Sequence, residues 1–556
     1  MSGRQRVAVV TGGGGGIGAA IAEELGRKGW FVTTVDPLVT LDGTERLPDA
    51  EETTAGRIVA AGGSARASSV SVTDGDAVRE LFGELAAEHG GLDAVVNVAG
   101  ITRQTGFAHG TEDDWLAVCT VHLDGYLNVL NGALPLMAAA GHGHVLGVTS
   151  GSGWRAADAG AYSCAKRAVA ALTWQLGPNL PPGVTVNAVS PIAATRMVAA
   201  AVERARQIVK ARGGGGVSGG GLSLTSMAGP DALGPLGAYL VGDGFGWCSG
   251  RVLFAGGSEV AVIDEPRLLE VVRSGDVVSL PRVLEAVVPR ALATAEAAQA
   301  SDGGSNPRFG PIFDEPASDD LPAAEVRSCA VASDRPGLEK LLIAALEARA
   351  IRCHHVELAS GFDGAAGALR SAVDAIGPVD AIVVAPAGHG YSADSGSAWA
   401  RMLAGHSDLV GQLHTDASWA RAAADYAALA SRPVRLVTMT DAARSAGRSR
   451  AQAAAQLARA AAGSTEGRVA AFALSLEAPE ATAGRPASEL AAHLLASPEA
   501  NALAGAELVV GSGWLGLRRH PRPVGSVTYG GPAVPDWLDA ALREIVGAGP
   551  AAPTEA

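Results

Sequence analysis

VAVVTGGGGGIGAAIAEELGRKGWFVTTVD, residues 7–36, decides the fold. A short apolar run, Val7–Thr11, enters an unbroken glycine stretch, and from Ile17 to Lys28 the apolar residues recur at helical spacing. A second apolar strand, Trp30–Asp36, follows. Strand, glycine turn, helix and strand form the entrance of a dinucleotide-binding fold. Glycines let the backbone approach a pyrophosphate, and the helix N-terminus turns free N–H groups toward the charge. Gly12, Gly16, Ile17 and Gly18 are the candidate cradle residues. Because the run is continuous, it fits both G-x-x-x-G-x-G and G-x-x-G-x-x-G and by itself assigns no subclass. Asp36 ends the second strand, where a carboxylate accepts hydrogen bonds from a ribose diol and repels a 2′-phosphate. No Arg or Lys stands at Gly13–Gly15 or just after Asp36 to hold such a phosphate. NAD(H) is therefore expected over NADP(H); a solvated strand-end aspartate is the other reading.

At 556 residues the chain exceeds one ordinary core. Apolar strands recur at Ala94–Val98, His144–Thr149, Thr185–Ser190 and Arg251–Ala255, with helical stretches between most of them. This predicts an α/β, Rossmann-like, doubly wound parallel sheet over residues 1–265. Helical stretches near Pro266–Arg273 and Pro281–Ala298 and a linker at Ser301–Pro322 fill residues 266–322. The pattern then restarts. GLDAVVNVAG at Gly91 aligns with PVDAIVVAPAG at Pro378, and SGRVLFAGG at Ser249 aligns with AGAELVVGSG at Ala504, in the same order. Residues 323–520 are read as a second, degenerate copy of the fold, giving two tandem copies. Two unrelated α/β domains with generic strand patterns are the alternative. A Pro- and Gly-rich tail covers 521–556.

A formal charge of -14 argues against nucleic acid and anionic membrane surfaces as partners. The start enters a strand directly and no apolar run is long enough to span a bilayer, so a cytoplasmic protein is expected. Cys119, Cys164, Cys248, Cys329 and Cys353 show no C-x-x-C spacing, which argues against a zinc site or a disulfide framework. His142/His144 and His354/His355 lack a carboxylate or cysteine at ligand spacing, so no metal is expected.

Tyr162 and Lys166 lie at i and i+4 and share one helical face, where an ammonium can lower the phenol's pKa. Such a tyrosine can donate or accept a proton. Ser150 ends the strand of VLGVTSGSG and could hold a substrate oxygen beside Tyr162; Ser152 competes for that role.

TGGGGGIG at Thr11, NVAG at Asn97, Ser150, YSCAK at Tyr162 and NAVSP at Asn187 resemble, in order and spacing through about residue 260, the short-chain dehydrogenase/reductase family. The resemblance implies seven parallel strands and a catalytic set of Ser150, Tyr162 and Lys166, with Lys166 also bonding the nicotinamide ribose. It places Val72, Asn97, Ala99, Gly100 and Val121 along the cofactor and Ile192 and Thr195 at the carboxamide. The implied reaction interconverts a ketone and a secondary alcohol with NAD(H) and without metal.

Three departures matter. His122 occupies the family's usual asparagine relay position. Imidazole can replace the amide's hydrogen bonds and can also take a charge between pH 5 and 8, so relay and structural roles both stand. PIAATRM at Pro191 replaces the usual Pro-Gly. Together with the histidine it is similar to the (3R)-hydroxyacyl-CoA dehydrogenase part of multifunctional β-oxidation enzymes, which suggests a 3-hydroxyacyl or 3-oxoacyl thioester or a polyketide-like substrate. The Ser150–Tyr162 loop is one residue shorter than usual. GGGGVSGGG at Gly213–Gly221 interrupts the segment that commonly forms the substrate lid; it is a gate or a passive expansion.

In the second half ASDRPGLEK at Ala332 offers one glycine and Asp334, so no dinucleotide is expected there. TMTDAARSAGRSRAQ at Thr438 lacks Tyr-x-x-x-Lys, and neither Ser445 nor Ser449 has a base at the required spacing. Family members pair through two long helices, so the second half is expected to replace a partner subunit. The chain would be a covalent pseudo-dimer, and a homodimer of chains would mimic a tetramer. Two other functions stay open: a cofactor-binding pseudoenzyme or scaffold, and an NAD-using epimerase or dehydratase of the extended branch.

Overall fold

The computed structural model describes residues 4–48, 52–155, 158–199, 228–275, 279–300, 326–388, 396–531 and 533–547. The expected lid at Gly213–Gly221 and linker at Ser301–Pro322 lie outside them.

The central strands β1 (Val7–Thr11), β2 (Phe31–Val35), β3 (Ser64–Ser68), β4 (Ala94–Asn97), β5 (Gly143–Val148), β6 (Val184–Ile192) and β7 (Val252–Gly256) form a parallel sheet ordered β3-β2-β1-β4-β5-β6-β7. Val7–Thr11 and Ala94–Asn97 are buried throughout, as strands covered on both faces must be, which is why they read as continuous apolar runs. β8 (Glu259–Asp264) folds back antiparallel on β7.

A second sheet repeats this order without one edge strand. β10 (Ser328–Ser333), β11 (Arg352–Val356), β12 (Ala381–Ala385), β13 (Val434–Asp441), β14 (Val469–Leu476) and β15 (Glu507–Gly511) run parallel in the order β11-β10-β12-β13-β14-β15. β16 (Trp514–Arg518) folds back antiparallel on β15, as β8 does on β7.

The two halves exchange their outermost strands. After β8 the chain crosses to the second sheet as β9 (Leu268–Arg273), antiparallel to β16. After β16 it crosses back to the first sheet as β17 (Arg522–Thr528), antiparallel to β8. Each exchanged strand is followed by a helix that docks on the host half. Leu284, Val287 and Val288 join the core of Leu338 and Leu342, whereas Leu538 and Leu542 join the core of Ile21 and Leu25. Pro266–Arg273 is thus a strand where a helix was expected, and the expected tail at 521–556 carries β17 and the Leu538–Val546 helix. Divisions at 266 and 521 follow the chain but not the sheets.

The halves meet along two helix pairs. The Gly160–Leu176 helix packs on Ser445–Ser464, and the Glu112–Cys119 helix packs on Leu409–Leu429. Ala161, Ala165 and Ala168 on one side and Ala453, Ala454 and Ala461 on the other belong to one continuous apolar core that crosses the boundary. Small side chains let these helix axes approach closely. Among the described residues no helix is long and apolar enough to cross a membrane.

Deleting residues 323–556 should therefore do more than expose the helix pair, because β17 and its helix leave the first sheet with it. The truncated chain is expected to aggregate and to be lost from the soluble expression fraction. Recovery of a soluble, active monomer would refute the dependence.

Candidate functional site

The glycine turn sits at the carboxyl end of β1. Gly12 has φ +65°, and a Cβ there would stand 2.8 Å from the Ala99 nitrogen; one on Gly18 would stand 2.2 Å from the Gly12 oxygen. These two glycines are demanded by the packing of turn, helix and the Asn97–Gly100 segment. Gly15 is the N-cap of the Gly16–Arg27 helix and offers no side-chain cap, and the first turn holds no acidic residue. The leading N–H groups are left for an external anion, which fits a pyrophosphate. Arg196, next to Thr195, brings a guanidinium nitrogen within 3.6 Å of where a Cβ on Gly15 would stand. This cation stands about 180 positions from the glycine turn in the chain and reaches it only through the fold.

Asp36 closes β2 with Oδ2 accepting the Gly14 N–H at 3.0 Å and Oδ1 accepting the Leu38 N–H at 2.9 Å. The carboxylate is held at the strand end with lone pairs to spare for a diol. Asn97 is buried, and its Oδ1 accepts the Thr11 hydroxyl at 2.7 Å, so its side chain ties β4 to β1. Val72 is buried against Gly125, where a Cβ would stand 2.7 Å from it. Ile192 and Thr195 are half-buried at and beyond the end of β6, and the Thr195 methyl faces Gly16.

Ser150, Tyr162, Lys166 and His122 come together at the carboxyl ends of the same strands. Ser150 follows β5; Tyr162 and Lys166 share a face of the Gly160–Leu176 helix. Burial pushes the Tyr162 phenol up, and its hydrogen bond with Ser150 opposes this. Ser150 is thus the serine placed beside the tyrosine. Lys166 is 4% exposed, donates to the Val148 carbonyl at 2.6 Å and lies 5.7 Å from the tyrosine ring centre. Burial lowers its pKa to about 7. The expected lowering of the phenol by a lysine charge is thus outweighed in this arrangement by the burial of both groups.

His122 sits in a π-helical turn, Thr120–Asp124, in the run between the Glu112–Cys119 and Gly125–Ala140 helices. Its Nε2 is 2.7 Å from the Ile101 carbonyl, so that nitrogen carries the proton, and the buried Nδ1 has no partner. The ring meets Tyr162 edge-on at 5.0 Å between centres. A Cβ on Gly100 would stand 2.3 Å from the ring, so Gly100 makes room for the imidazole. Burial, then the Lys166 charge, hold the pKa of His122 well below its ordinary value. This environment disfavours the charged imidazole.

The second half reaches the loop between Ser150 and Tyr162. Gln456 donates to the carbonyls of Ser152 at 3.0 Å and Arg155 at 2.8 Å, and Arg459 donates to the Trp154 carbonyl at 3.1 Å. The Ser464 hydroxyl donates to Asp158, whose other oxygen accepts the Phe107 N–H at 3.0 Å. Next to Lys166, the buried Arg167 pairs with Glu507 at 3.3 Å and bonds Gln452 at 3.0 Å. No sequence signal links these residues, which stand about 300 positions apart.

The corresponding turn of the second half is filled from within. Pro336 opens the Pro336–Glu347 helix, and a Cβ on Gly337 would stand 2.4 Å from a Glu480 oxygen. Arg335 pairs with the same carboxylate at 3.0 and 2.9 Å. Ser449 does have a base, since His406 Nε2 lies 2.9 Å from its oxygen, contrary to the reading from spacing. Both are fully buried, and Gln175 also donates to the serine, so they form a packing contact between the halves. The five cysteines are free, and four of them are buried.

Residues 6–206 match the short chain dehydrogenase family. Nodulation protein G of Azospirillum brasilense is 31% identical over 254 residues, covering 45% of this chain and 96% of that protein. Acetoacetyl-CoA reductase of Cupriavidus necator is 35% identical over 199 residues, covering 35% and 78%. The peroxisomal hydratase-dehydrogenase-epimerase of Neurospora crassa is 32% identical over 194 residues, covering 34% and 21%. The chain belongs to the short-chain dehydrogenase family through its N-terminal region, and these matches cover less than half of it.

Two outcomes follow from the charges in this site. The folded pKa of Lys166, about 7, lies below the ordinary lysine value of 10.5, so between them the unfolded chain binds more protons and stability rises with pH. Lys166→Met should therefore melt roughly 2–5 °C above the parent near neutral pH, with the gap closing toward the ordinary lysine pKa, while turnover is lost. A Met variant less stable at neutral pH, with a gap independent of pH, would contradict this. For His122→Asn, the pH–rate profile should keep its shape, because burial beside Lys166 disfavours the charged imidazole. An acid limb that vanishes in the variant would restore a titrating relay.

Proposed function

We propose that the N-terminal half is an NAD(H)-dependent oxidoreductase that interconverts a ketone and a secondary alcohol. The observation that carries this reading is the placement of Ser150, Tyr162 and Lys166 around one point beside an uncapped helix N-terminus. The glycine turn, Asp36, Lys166, Ile192 and Thr195 would hold a nicotinamide cofactor, which would supply or accept the hydride when bound. Arg196 would add a positive charge at the glycine turn. Tyr162 passes a proton to the substrate oxygen during reduction and takes it back during oxidation. Ser150 fixes that oxygen, and Lys166 anchors the ribose and steadies the phenolate form. His122 bonds the Ile101 carbonyl in the loop after β4 and packs edge-on against the tyrosine ring, holding both in place.

The reductase relatives and the Pro191–Met197 segment support a 3-oxoacyl or 3-hydroxyacyl thioester, or a polyketide-like chain, as the substrate class. The free, mostly buried cysteines suit the cytoplasm.

The second half acts in this reading as a built-in partner subunit, and the chain as a covalent pseudo-dimer. Support comes from the repeated strand order, the shared helix pairs and the bonds from Gln456, Arg459 and Ser464 to the Ser150–Tyr162 loop. Glu480 and Pro336 leave that half without an anion cradle.

Calorimetric titration tests the division of labour without a substrate. NADH should bind at one site per chain, NADPH at least about tenfold more weakly, and Asp36→Ala should narrow that difference. Absence of binding, or two sites per chain, would sink it.

A further inference from the structure

At the opposite end of β5 from Ser150, three metal-ligating groups converge that the proposed reaction does not use. His142 and His144 flank the start of the strand, and the fold brings Asp243 to them from the turn before β7. One donor atom of each lies within 4.8 Å of the others. Both histidine Nε2 atoms stand 3.8 Å from the same Asp243 oxygen, and the two rings are nearly perpendicular at 5.0 Å between centres. These separations are too long for hydrogen bonds. They are about half an ångström longer than the ~3.3 Å between ligands of a tetrahedral zinc ion with bonds of 2.0–2.1 Å.

His144 gives the independent indication. Its side chain is 5% exposed, its Nδ1 bonds the Thr185 hydroxyl at 2.9 Å, and its Nε2 is buried without a partner. In the tautomer whose Nδ1 donates to Thr185, Nε2 carries a bare lone pair 3.8 Å from a carboxylate oxygen, an arrangement of two acceptors that a cation between them would satisfy.

We propose that His142, His144 and Asp243 form a structural site for a divalent transition metal of the zinc class, with water in the fourth position. Two imidazoles and one carboxylate favour such an ion over magnesium or calcium, which take oxygen ligands. Asp243 is 57% exposed and can move by the required fraction of an ångström; it borders a surface cleft of about 330 Å³ that opens a path to solvent. The site lies about 20 Å from Ser150, the length of the strand, so the ion would pin the turn before β7 to the base of the sheet without touching the reaction.

The other charges facing the cluster are known. Arg6 lies 3.3 Å from the second oxygen of Asp243 and competes with the metal. Asp93 lies 3.6 Å from His142 Nε2 but is engaged by Arg4 at 2.7 and 2.6 Å. Removing Arg6 should therefore tighten binding.

The test is calorimetric titration of ZnCl2 into chelator-treated full-length protein at about pH 7.5. One equivalent should bind with a micromolar or tighter Kd, raising the melting temperature. His142→Ala and the fold-conserving Asp243→Asn should each weaken it at least ~30-fold, Arg6→Ala should strengthen it, and His355→Ala should leave it unchanged. No binding at about 100 µM, or an equivalent that survives both His142→Ala and Asp243→Asn, would overturn the proposal.

Discussion

Everything else in the molecule leans on the contact between the Gly160–Leu176 and Ser445–Ser464 helices. The first of these helices is buried on nearly every face. One face carries Tyr162 and Lys166, another lies on the parallel sheet, and a third meets the second half. A helix fixed on three sides has little freedom to rotate, and the geometry of a tyrosine relative to a serine on the neighbouring strand end depends on that fixity. Arg167, next to Lys166, shows how the contact is locked. Its guanidinium is 1% exposed and is satisfied by Glu507 at the start of β15 in the other half, by Gln452 and by the Gly153 carbonyl. A buried pair of this kind adds little net stability over an apolar one, but breaking it leaves a charge stranded, so it selects one register of the two helices.

The strand exchange works in the same direction. In a simple tandem array each half would keep its own β-hairpin extension, and the halves would be joined only by side-chain packing and a linker. Here β9 and β17 each complete the other half's sheet through backbone hydrogen bonds. Separation of the halves would break both ladders as well as the apolar core, so the association is tied to the folding of each half rather than to a surface that could open.

The first half was legible because its chemistry is carried by local elements. A strand running into glycine, a strand-end aspartate and a Tyr-to-Lys spacing of one helical turn are each set by residues close together in the chain, and the structure brings Ser150, Tyr162, Lys166 and His122 together. What stayed hidden depends on distant partners. LLEVVR at Leu268–Arg273 is a short apolar run whose period does not separate helix from strand; it is a strand because β16 offers an unpaired edge. Asp243 beside His142, and Gln456 on the Ser152 carbonyl, have no spacing rule, since the fold alone brings them there. The charge state of His122 was also out of reach, because residue type gives an ordinary pKa and only burial beside Lys166 reverses the expectation.

The two halves also show how one topology yields opposite answers at the same place. A helix that begins at the carboxyl end of the first sheet strand presents donors that must be satisfied somehow. In the first half Gly15 caps nothing, no acidic residue occupies the first turn, and Arg196 adds further positive charge, so the turn is an anion site waiting on a ligand. In the second half Pro336 removes a donor, and Glu480, tied down by Arg335, places its carboxylate over Gly337. A carboxylate and a pyrophosphate cannot occupy the same helix end, and the charge of the first repels the second. Loss of glycines alone would have left a weak site that a mutation could restore. With Pro336 at the helix start and the Glu480 carboxylate lying over Gly337, regaining a cradle requires changing the proline and moving the Arg335–Glu480 pair as well. The contacts from the second half to the Ser150–Tyr162 loop are made by Gln456, Arg459 and Ser464, which lie away from this turn in the chain.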